Sequence, residues 1–427
     1  MQNTVRLGAA AEGRFIESRR FNTTYISFHF YTPLNTERLA EDALLPYLLT
    51  SCSADYKSFT ELNLTLLKLY GAELSCSVSK SGDYLHSKIG IRVINPAFAF
   101  DKEDTVRQAA DILLSLIFNP SVKDQAFRDA DVSREKRKTI ERIDNEINNK
   151  RSFARTRLTA LMFEGEPYGE FIYGTREAVE KIDGRSMYNA WQRLLSGSEI
   201  QLNVVSSESP DELFALFSDK LSRFERSEKA PTVHSTLRPT DTPRTVREEM
   251  EVTQGKLVMG FSSDVSGDLD KALPLMLFAD IFGGGPYSRL FENVREKQSL
   301  CYYCSAAQRR NKGYLIVDSG VEAENCEKAK AAILAELDAL KKGEIEEERL
   351  EASKKSVIDS LHSYGDSASA LDSWYTRDIY TEKLPTPEAA AIALEAITRE
   401  DIERVARGIK LHTVYELMPE KEGANNE

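Results

Sequence analysis

The sequence has few cysteines, no excess of basic charge and no long apolar run, and each of these absences excludes a class of protein. Five scattered cysteines in 427 residues do not form a disulfide framework and suit a reducing compartment. Acidic residues outnumber basic ones by 68 to 56, whereas a nucleic-acid-binding surface should be basic. No apolar run reaches the roughly 18 residues of a membrane span, and the N-terminus lacks the pattern of a signal peptide. We therefore expect a soluble cytoplasmic protein that binds neither nucleic acid nor membrane.

The least regular long stretch is SEKAPTVHSTLRPTDTPRT, residues 227–245. Its three prolines break helices, and it has few large apolar side chains that could anchor it, so we predict an interdomain linker. A chain of 427 residues is also too long for one compact core. The prediction is an N-terminal domain over residues 1–226 and a C-terminal domain over residues 246–427.

The first domain begins with a clear strand pattern in TYISFHFYT, residues 24–32. Side chains alternate between the two faces of a strand, which places Ile26, Phe28 and Phe30 on one face. The opposite face carries Tyr25, Ser27, His29 and Tyr31. An apolar helix (ALLPYLLTSC), a second helical run and two strands (AELSCSVSK and YLHSKIGIRV) follow.

The second domain repeats this order of elements. A strand (KLVMGFSS) precedes an apolar helix (ALPLMLFADIFGG), a short helix (SRLFENVREK) and two strands (LCYYCSAAQ and GYLIVDSGV). From Ala43 to Tyr84 is 41 residues, and from Ala272 to Tyr314 is 42 residues. Long charged amphipathic helices are predicted later in each half, at residues 126–150 and 344–364. The predicted fold class is α+β, with two similar halves that each have a mainly antiparallel sheet with helices packed on one face.

The stretch GGGPYSRLFENVREKQSLCYY in the second half resembles a pattern of the insulinase/pitrilysin zinc peptidases, which include the mitochondrial processing peptidases. Twelve positions match at fixed spacing: Gly284, Gly285, Ser288, Arg289, Leu290, Phe291, Val294, Arg295, Glu296, Lys297, Leu300 and Tyr302. The resemblance implies paired α+β halves that close around a peptide. It is nearest to short bacterial members with two halves per chain, which assemble as dimers, and among these to a non-catalytic type of subunit.

Active members of this family carry H-x-x-E-H on the first helix, where two imidazoles bind zinc and the glutamate activates water. Here Leu44 and Leu48 stand in place of the histidines, and Tyr47 stands in place of the glutamate. The third family ligand aligns with Glu141 or Arg142, and the sequence does not decide between them. The resemblance thus predicts that this chain binds no cofactor and has no peptidase activity alone.

In the family, an arginine and a tyrosine seven residues apart in the second half reach toward the zinc site. Arg295 and Tyr302 occupy these positions, and they could donate to a peptide carbonyl whose oxygen becomes negative. The resemblance therefore implies a heterodimer, in which a homologous subunit with an intact H-x-x-E-H binds zinc and this chain lends Arg295 and Tyr302 in trans. The structural alternative is that Arg295 pairs with Glu292 or favours the C-terminus of its helix, and that Tyr302 packs in a sheet.

Two further motifs have ordinary explanations. Gly283, Gly284 and Gly285 lack the G-K-[ST] of a phosphate loop, so they form either a tight turn that enters a helix or, with Ser288, a contact to the backbone of a substrate. Cys301 and Cys304 have the spacing of a redox or metal pair, but residues three apart in a strand point to opposite faces. The five histidines, at positions 29, 86, 234, 362 and 412, never fall within five residues of one another.

Two functions remain open. The first is the non-catalytic subunit of a heterodimeric zinc peptidase with an extended peptide as substrate. The second is an inactive peptidase homologue that binds peptides or acts as a scaffold, and homodimers are possible in either case. Arg295 and Tyr302 favour the first, because a scaffold does not need them.

Overall fold

The computed structural model describes residues 2–226, 235–265, 269–377 and 384–420. Part of the predicted linker, residues 227–234, lies outside the described residues. Of the remaining linker residues, 235–243 form neither helix nor strand, and Arg244 and Thr245 begin a strand. The backbone N–H of Leu237 donates to the carbonyl of Lys312 at 2.9 Å.

Thirteen strands are found in the described residues. In chain order they are β1 (Gln2–Gly8), β2 (Ala11–Glu17), β3 (Thr23–Pro33), β4 (Glu73–Ser81), β5 (Tyr84–Ile94), β6 (Val122–Lys123), β7 (Ala126–Phe127), β8 (Glu199–Ser206), β9 (Arg244–Met250), β10 (Gly255–Ser262), β11 (Tyr303–Arg309), β12 (Tyr314–Val321) and β13 (Lys410–Pro419).

Fourteen α-helices are found in the same residues, together with a π-helix over Leu290–Lys297. The α-helices are α1 (Leu39–Leu49), α2 (Phe59–Lys68), α3 (Thr105–Phe118), α4 (Asp129–Glu146), α5 (Lys150–Met162), α6 (Arg176–Glu180), α7 (Gly184–Gly197), α8 (Asp211–Leu221), α9 (Leu269–Gly283), α10 (Cys326–Lys341), α11 (Glu347–Ser363), α12 (Ala368–Thr376), α13 (Pro387–Glu395) and α14 (Arg399–Arg407). None of the helices in the described part of the chain is long and apolar enough to cross a membrane.

The chain divides into two compact units, and each is assembled from three segments. The first unit contains Met1–Asp144, Glu170–Val233 and Gly365–Arg377, and the second contains Asn145–Gly169, His234–Tyr364 and Asp378–Glu427. Helix α5 therefore belongs to the second unit, and α12 belongs to the first.

The main sheets of the two units have the same topology. The first is ordered β1-β2-β8-β3-β5-β4 and the second β11-β12-β10-β13-β9. Read from the opposite end, the second sheet is β9-β13-β10-β12-β11, and these five strands correspond in order to β2-β8-β3-β5-β4 of the first sheet. The first sheet has β1 as an additional edge strand. In each sheet one pair is parallel, β2 with β8 and β13 with β9, and the other pairs are antiparallel. This confirms the predicted α+β fold class with similar halves.

The core of the first unit lies on the face of β3 that the alternation predicted. Ile26, Phe28 and Phe30 are fully buried there in one apolar cluster with side chains of the surrounding helices. The ring of Phe28 meets that of Phe217 edge to face, with centroids 4.6 Å apart. Burying a side chain of this size contributes about 1.5–3 kcal/mol to folding, so these residues fix the register of β3.

The opposite face of β3 is also covered, because α12 packs against it. Ser27 and His29 are fully buried beside Asp372 of α12. The hydroxyl of Tyr31 donates to the carbonyl of Thr376 at 3.3 Å. In the second unit α5 packs on β10, where Gly260 leaves room for Met162, since a Cβ at that glycine would lie 2.2 Å from the Met162 sulfur. Each sheet is thus packed by one helix, α12 in the first unit and α5 in the second, in addition to the predicted layer of helices.

The prediction of one helix over residues 126–150 is wrong in its extent. Residues 126–127 form β7, and α4 ends at Glu146. A separate helix α5 begins at Lys150, where the side chain of Asn149 caps it by accepting from the N–H of Ser152 at 3.0 Å. Asparagine is preferred at the N-cap of a helix over the helix interior. Asn149 therefore begins a new helix, α5, and does not continue α4. The second predicted helix is confirmed as α11.

Candidate functional site

The position of the expected metal motif lies on α1, whose apolar side chains face the core. Leu44 is 0% exposed and Leu48 is 1% exposed, and both belong to the main apolar cluster of the first unit. Tyr47 is only partly buried, and its hydroxyl lies 3.2 Å from the hydroxyl of Tyr173.

Arg142, and not Glu141, is the residue of α4 that faces α1. The Arg142 guanidinium carbon lies 4.1 Å from the centre of the Tyr47 ring and 5.6 Å from that of Tyr173. This is the geometry of a cation–π contact. The side chain of Glu141 is 62% exposed and lies 4.0 Å from Arg137. Of the two candidates for the third-ligand position, Arg142 is therefore the one in contact with α1.

These side chains do not fit a zinc ion. Zinc takes nitrogen, thiolate or carboxylate donors, whereas this place offers two leucines, a tyrosine and a cationic arginine. Burial raises the pKa of Tyr47, and it raises the pKa of nearby Cys76 to about 12, so neither becomes an anion at neutral pH. Within residues 2–226, 235–265, 269–377 and 384–420, no group of three His, Cys, Asp or Glu side chains is placed to hold a metal ion.

In the second unit the π-helix that carries Arg295 is anchored by buried side chains. Leu290 and Val294 are fully buried. The guanidinium of Arg289 donates to Glu336 and to the carbonyl of Glu344, both at 2.6 Å. These contacts hold one side of the helix in the interior and leave Arg295 partly exposed.

A tight turn after this helix brings Tyr302 beside Arg295. Ser299 has a positive φ of 51°, and the N–H of Leu300 donates back to the carbonyl of Val294 at 3.1 Å. The N–H of Tyr302 then donates to the carbonyl of Gly320 at 2.9 Å, which aligns Tyr302 with the beginning of the β11–β12 pair.

Arg295 and Tyr302 line one pocket of about 370 Å³ at the surface of the second unit. Tyr302 is 58% exposed, and its hydroxyl donates to the carboxylate of Glu322, a bond that raises the pKa of Tyr302. The Arg295 guanidinium lies over the ring of Phe291 at 4.5 Å and 3.5 Å from Glu296. The two residues named from the motif are thus brought to one open site.

The structural alternative for this pair agrees with the structure only in part, because Arg295 does lie in the last turn of its helix. Glu292 pairs with Arg349 at 2.9 Å and not with Arg295. Tyr302 is exposed and lies just before β11, so it is not packed within the sheet.

The three glycines and Ser288 do not line this pocket. A Cβ at Gly283 would lie 2.5 Å from the backbone nitrogen of Ala306, so close packing requires glycine there. The N–H of Gly284 donates to the carbonyl of Asp280 at 2.8 Å. Ser288 is 1% exposed, and its hydroxyl has no hydrogen-bond partner among the described residues. These residues form the junction between two helices, where Gly283 and Ser288 are buried, Gly285 is partly buried and Gly284 is exposed.

Comparison with known proteins identifies relatives of this chain. The family model described as the peptidase M16 inactive domain matches residues 181–357. The sequence is 26% identical to the "Probable inactive metalloprotease YmfF" of Bacillus subtilis over 94% of both chains. The chain is a homologue of the M16 peptidases. This confirms the resemblance to the insulinase/pitrilysin family and to a non-catalytic bacterial type.

Solved structures show the same fold over the whole chain. A conserved protein from Enterococcus faecalis V583 matches with a TM-score of 0.91 and 26% identity, covering 99% of this chain and 100% of that one. The peptidase M16 inactive domain from Pseudomonas fluorescens matches with a TM-score of 0.81 and 16% identity, covering 100% of both. The M16 fold is therefore present in full.

Two features of this M16 pocket were missed by the sequence reasoning. Glu322 follows β12 directly, and the pairing of Tyr303 with Gly320 shows that a correct hairpin register would have placed it near Tyr302. The expectation that Cys301 and Cys304 point to opposite faces is wrong, because β11 begins only at Tyr303. The two thiols are close enough for each to shift the pKa of the other.

A second polar cluster in this M16 chain has the composition of a catalytic triad but not its geometry. The hydroxyl of Ser27 and the carboxylate of Asp372 both lie 3.0 Å from the same nitrogen of His29, Nε2. A triad uses the two different ring nitrogens of its histidine. All three side chains are also fully buried, so this cluster is structural.

Proposed function

We propose that this chain is the non-catalytic subunit of a heterodimeric zinc-dependent peptidase, and that Arg295 and Tyr302 bind the carbonyl of a peptide held at the zinc of a homologous partner. The observation that carries this proposal is that the two residues line one solvent-open pocket. The low cysteine content supports a cytoplasmic location for the complex.

The chemistry of the pair suits a peptide carbonyl. When water attacks the carbonyl carbon, negative charge develops on its oxygen, and positioned donors stabilise that charge. The guanidinium of Arg295 supplies a cation with several N–H donors, and the phenol of Tyr302 supplies one O–H donor. Both side chains are open to solvent and can reach a ligand.

The first unit supports the need for a partner. Its α1 carries Leu44 and Leu48 in the core and Tyr47 against Arg142, so the chain has neither zinc ligands nor a general base at that place. A homologous subunit with H-x-x-E-H would supply both, and the peptide substrate would be cleaved there.

A second candidate function is that of an inactive homologue that binds peptides or acts as a scaffold. The contact between Tyr302 and Glu322 favours it, because a carboxylate at the phenol competes with a carbonyl for the same proton. A negative charge at this position would also oppose the negative charge of a tetrahedral intermediate.

The experiment is peptide hydrolysis by this chain reconstituted with a homologous partner that carries H-x-x-E-H. Tyr302→Phe removes one donor and keeps the ring, so we expect turnover to fall by about a hundredfold. Arg295→Lys should also impair turnover, because an ammonium does not reproduce the planar guanidinium. The matched control is Arg309→Lys, an exposed arginine at the end of β11 outside the pocket.

Glu322→Gln separates the two candidates. If Tyr302 must leave Glu322 to bind the substrate, weakening that contact maintains or raises turnover in the heterodimer. Zinc content and dimer formation are checked for each variant. Full activity of both Tyr302→Phe and Arg295→Lys would refute the catalytic contribution and leave the scaffold function.

A further inference from the structure

Two thiols lie beside the pocket of the second unit. Cys301 is one of its lining residues, and Cys304 lies in β11 opposite Ser319 of β12. Both residues are mostly buried. The two thiols are close enough for each to shift the pKa of the other, and neither forms a disulfide.

The turn before β11 explains why these thiols meet. The chain reverses at Ser299 and enters the sheet only at Tyr303, so Cys301 is not bound by the alternation of a strand. Its side chain can therefore face the pocket while it also contacts Cys304. The result is a C-x-x-C pair with one member at the pocket wall and the other behind it.

The surroundings of the two sulfurs are unequal. The hydrogen bond from the Cys304 thiol lowers the pKa of Cys301, and the charge of Arg295 adds to this effect. The same hydrogen bond and burial raise the pKa of Cys304 well above its ordinary value, and the charge of Asp318 raises it further. Cys301 is thus the better nucleophile.

Two other thiols of the chain, Cys76 and Cys326, show the contrast. Burial raises the pKa of Cys76 to about 12 and that of Cys326 to about 12. A buried thiol that stays protonated is inert. Cys76 and Cys326 therefore serve as internal references for reactivity within the same chain.

We propose that Cys301 is a site of oxidation by peroxides, and that its oxidised form is resolved by Cys304 into a Cys301–Cys304 disulfide beside Arg295 and Tyr302. This inference does not depend on the proposed peptidase function. It gives the pocket two covalent states, one with two free thiols and one with a disulfide.

The reaction is balanced in two steps. The Cys301 thiolate attacks one oxygen of hydrogen peroxide, the O–O bond breaks, and the products are a sulfenic acid and hydroxide, which becomes water on protonation. The Cys304 sulfur then attacks the Cys301 sulfur, the S–S bond forms, and the S–O bond breaks. The Cys304 proton leaves with the hydroxide as a second water. The two thiols lose two electrons, and the peroxide is reduced to two waters.

The test uses the isolated full-length chain, treated with hydrogen peroxide and digested with trypsin after alkylation. Lys297 and Arg309 are cleavage sites, so one peptide, residues 298–309, contains both cysteines. We expect the oxidised peptide to escape alkylation and to be about 2 Da lighter than the unalkylated dithiol peptide, because the disulfide has lost two hydrogens. Its oxidation should be at least about tenfold faster than that of the peptides with Cys76 and Cys326.

Two variants identify the order of events. In Cys304→Ser, the sulfenic acid cannot be resolved, so dimedone should label Cys301. In Cys301→Ala, Cys304 should stay unlabelled at the same peroxide concentration. Circular dichroism checks that both variants are folded, and Cys326→Ser is the matched control that keeps full reactivity at Cys301. Oxidation of Cys301 no faster than Cys76, or a labelled Cys301 without any wild-type disulfide, would overturn the proposal.

Discussion

Replacing Asp372 by asparagine tests whether α12 is held to the first unit by a buried ion pair. The Asp372 carboxylate accepts from Lys88 at 2.7 Å, from Asn203 at 2.8 Å and from Ser27 at 2.9 Å, and it lies 3.0 Å from Nε2 of His29. Burial alone would raise the pKa of Asp372, but His29 and Lys88 outweigh it and hold that pKa well below its ordinary value. The folded unit therefore needs the charged form.

The size of the effect follows from the contacts. Removing one partner of a buried ion pair costs about 3–5 kcal/mol, because the other charge is left uncompensated. Asparagine keeps one oxygen that can accept from Ser27 or Asn203, but it places an amide against the Lys88 ammonium, so we expect the lower end, about 3 kcal/mol. At about 2–4 °C per kcal/mol, Tm should fall by roughly 6–12 °C.

Tryptophan fluorescence in urea reports this unit selectively. The chain has two tryptophans, and both Trp191 and Trp374 lie in the first unit. The matched control is Asp111→Asn, which breaks an exposed pair with Arg107 and should cost at most about 0.5 kcal/mol. Adding Lys88→Met to Asp372→Asn should restore part of the loss, since no charge is then left unpaired. A loss below about 1 kcal/mol in the single variant would refute the role assigned to the ion pair.

Three further outcomes are expected. Burial lowers the pKa of His86 well below its ordinary value, so on acidification the unfolded chain takes up a proton that the folded unit does not. The free energy of unfolding of the first unit should therefore fall by up to about 2 kcal/mol between pH 6.5 and 5. His86→Gln should reduce this pH dependence, measured as the shift of the urea midpoint. Metal analysis of the purified chain should find no stoichiometric zinc, and one tightly bound zinc per chain would contradict the account of α1. Ser288→Ala should leave the free energy of unfolding unchanged or slightly higher, because it removes a buried hydroxyl without a partner among the described residues. Gly283→Ala should be clearly destabilising, because its Cβ would meet the backbone of Ala306, and equal melting temperatures for these last two variants would contradict the description of the helix junction.

The local sequence pattern predicted strands and their core-facing side chains, but not the helix that packs on the opposite face of the sheet. The alternation over residues 24–32 identified β3 and the core face of Ile26 and Phe28, because burial on one face leaves a period of two in the sequence. The helix that covers the opposite face was not predictable from that pattern. Its Asp372 lies 343 positions after His29, and no local rule reports a contact at that distance.

The candidate site was also predicted only in part. The motif named Arg295 and Tyr302, and the turn at Ser299 brings them to one pocket. The positive φ of that serine was not visible in the sequence, so the start of β11 was placed too early and the contact of the two thiols was missed. The sequence also left the choice between Glu141 and Arg142 open, because neighbouring residues of a helix differ in the direction they face. The structure shows that Arg142 is the one that contacts Tyr47.

The assignment of α12 to the first unit has a consequence for how this protein is made. Residues 1–226 leave the ribosome long before residues 368–376 exist. During synthesis the polar face formed by His29 of β3 and Lys88 of β5 therefore has no Asp372 to pair with. Contacts this distant in sequence form late and slowly. That face of the nascent N-terminal half therefore lacks its covering helix until almost the entire chain has been translated. Gene fragments divided at the linker would encode two polypeptides that each lack a helix their own sheet requires, and neither would be a complete folding unit.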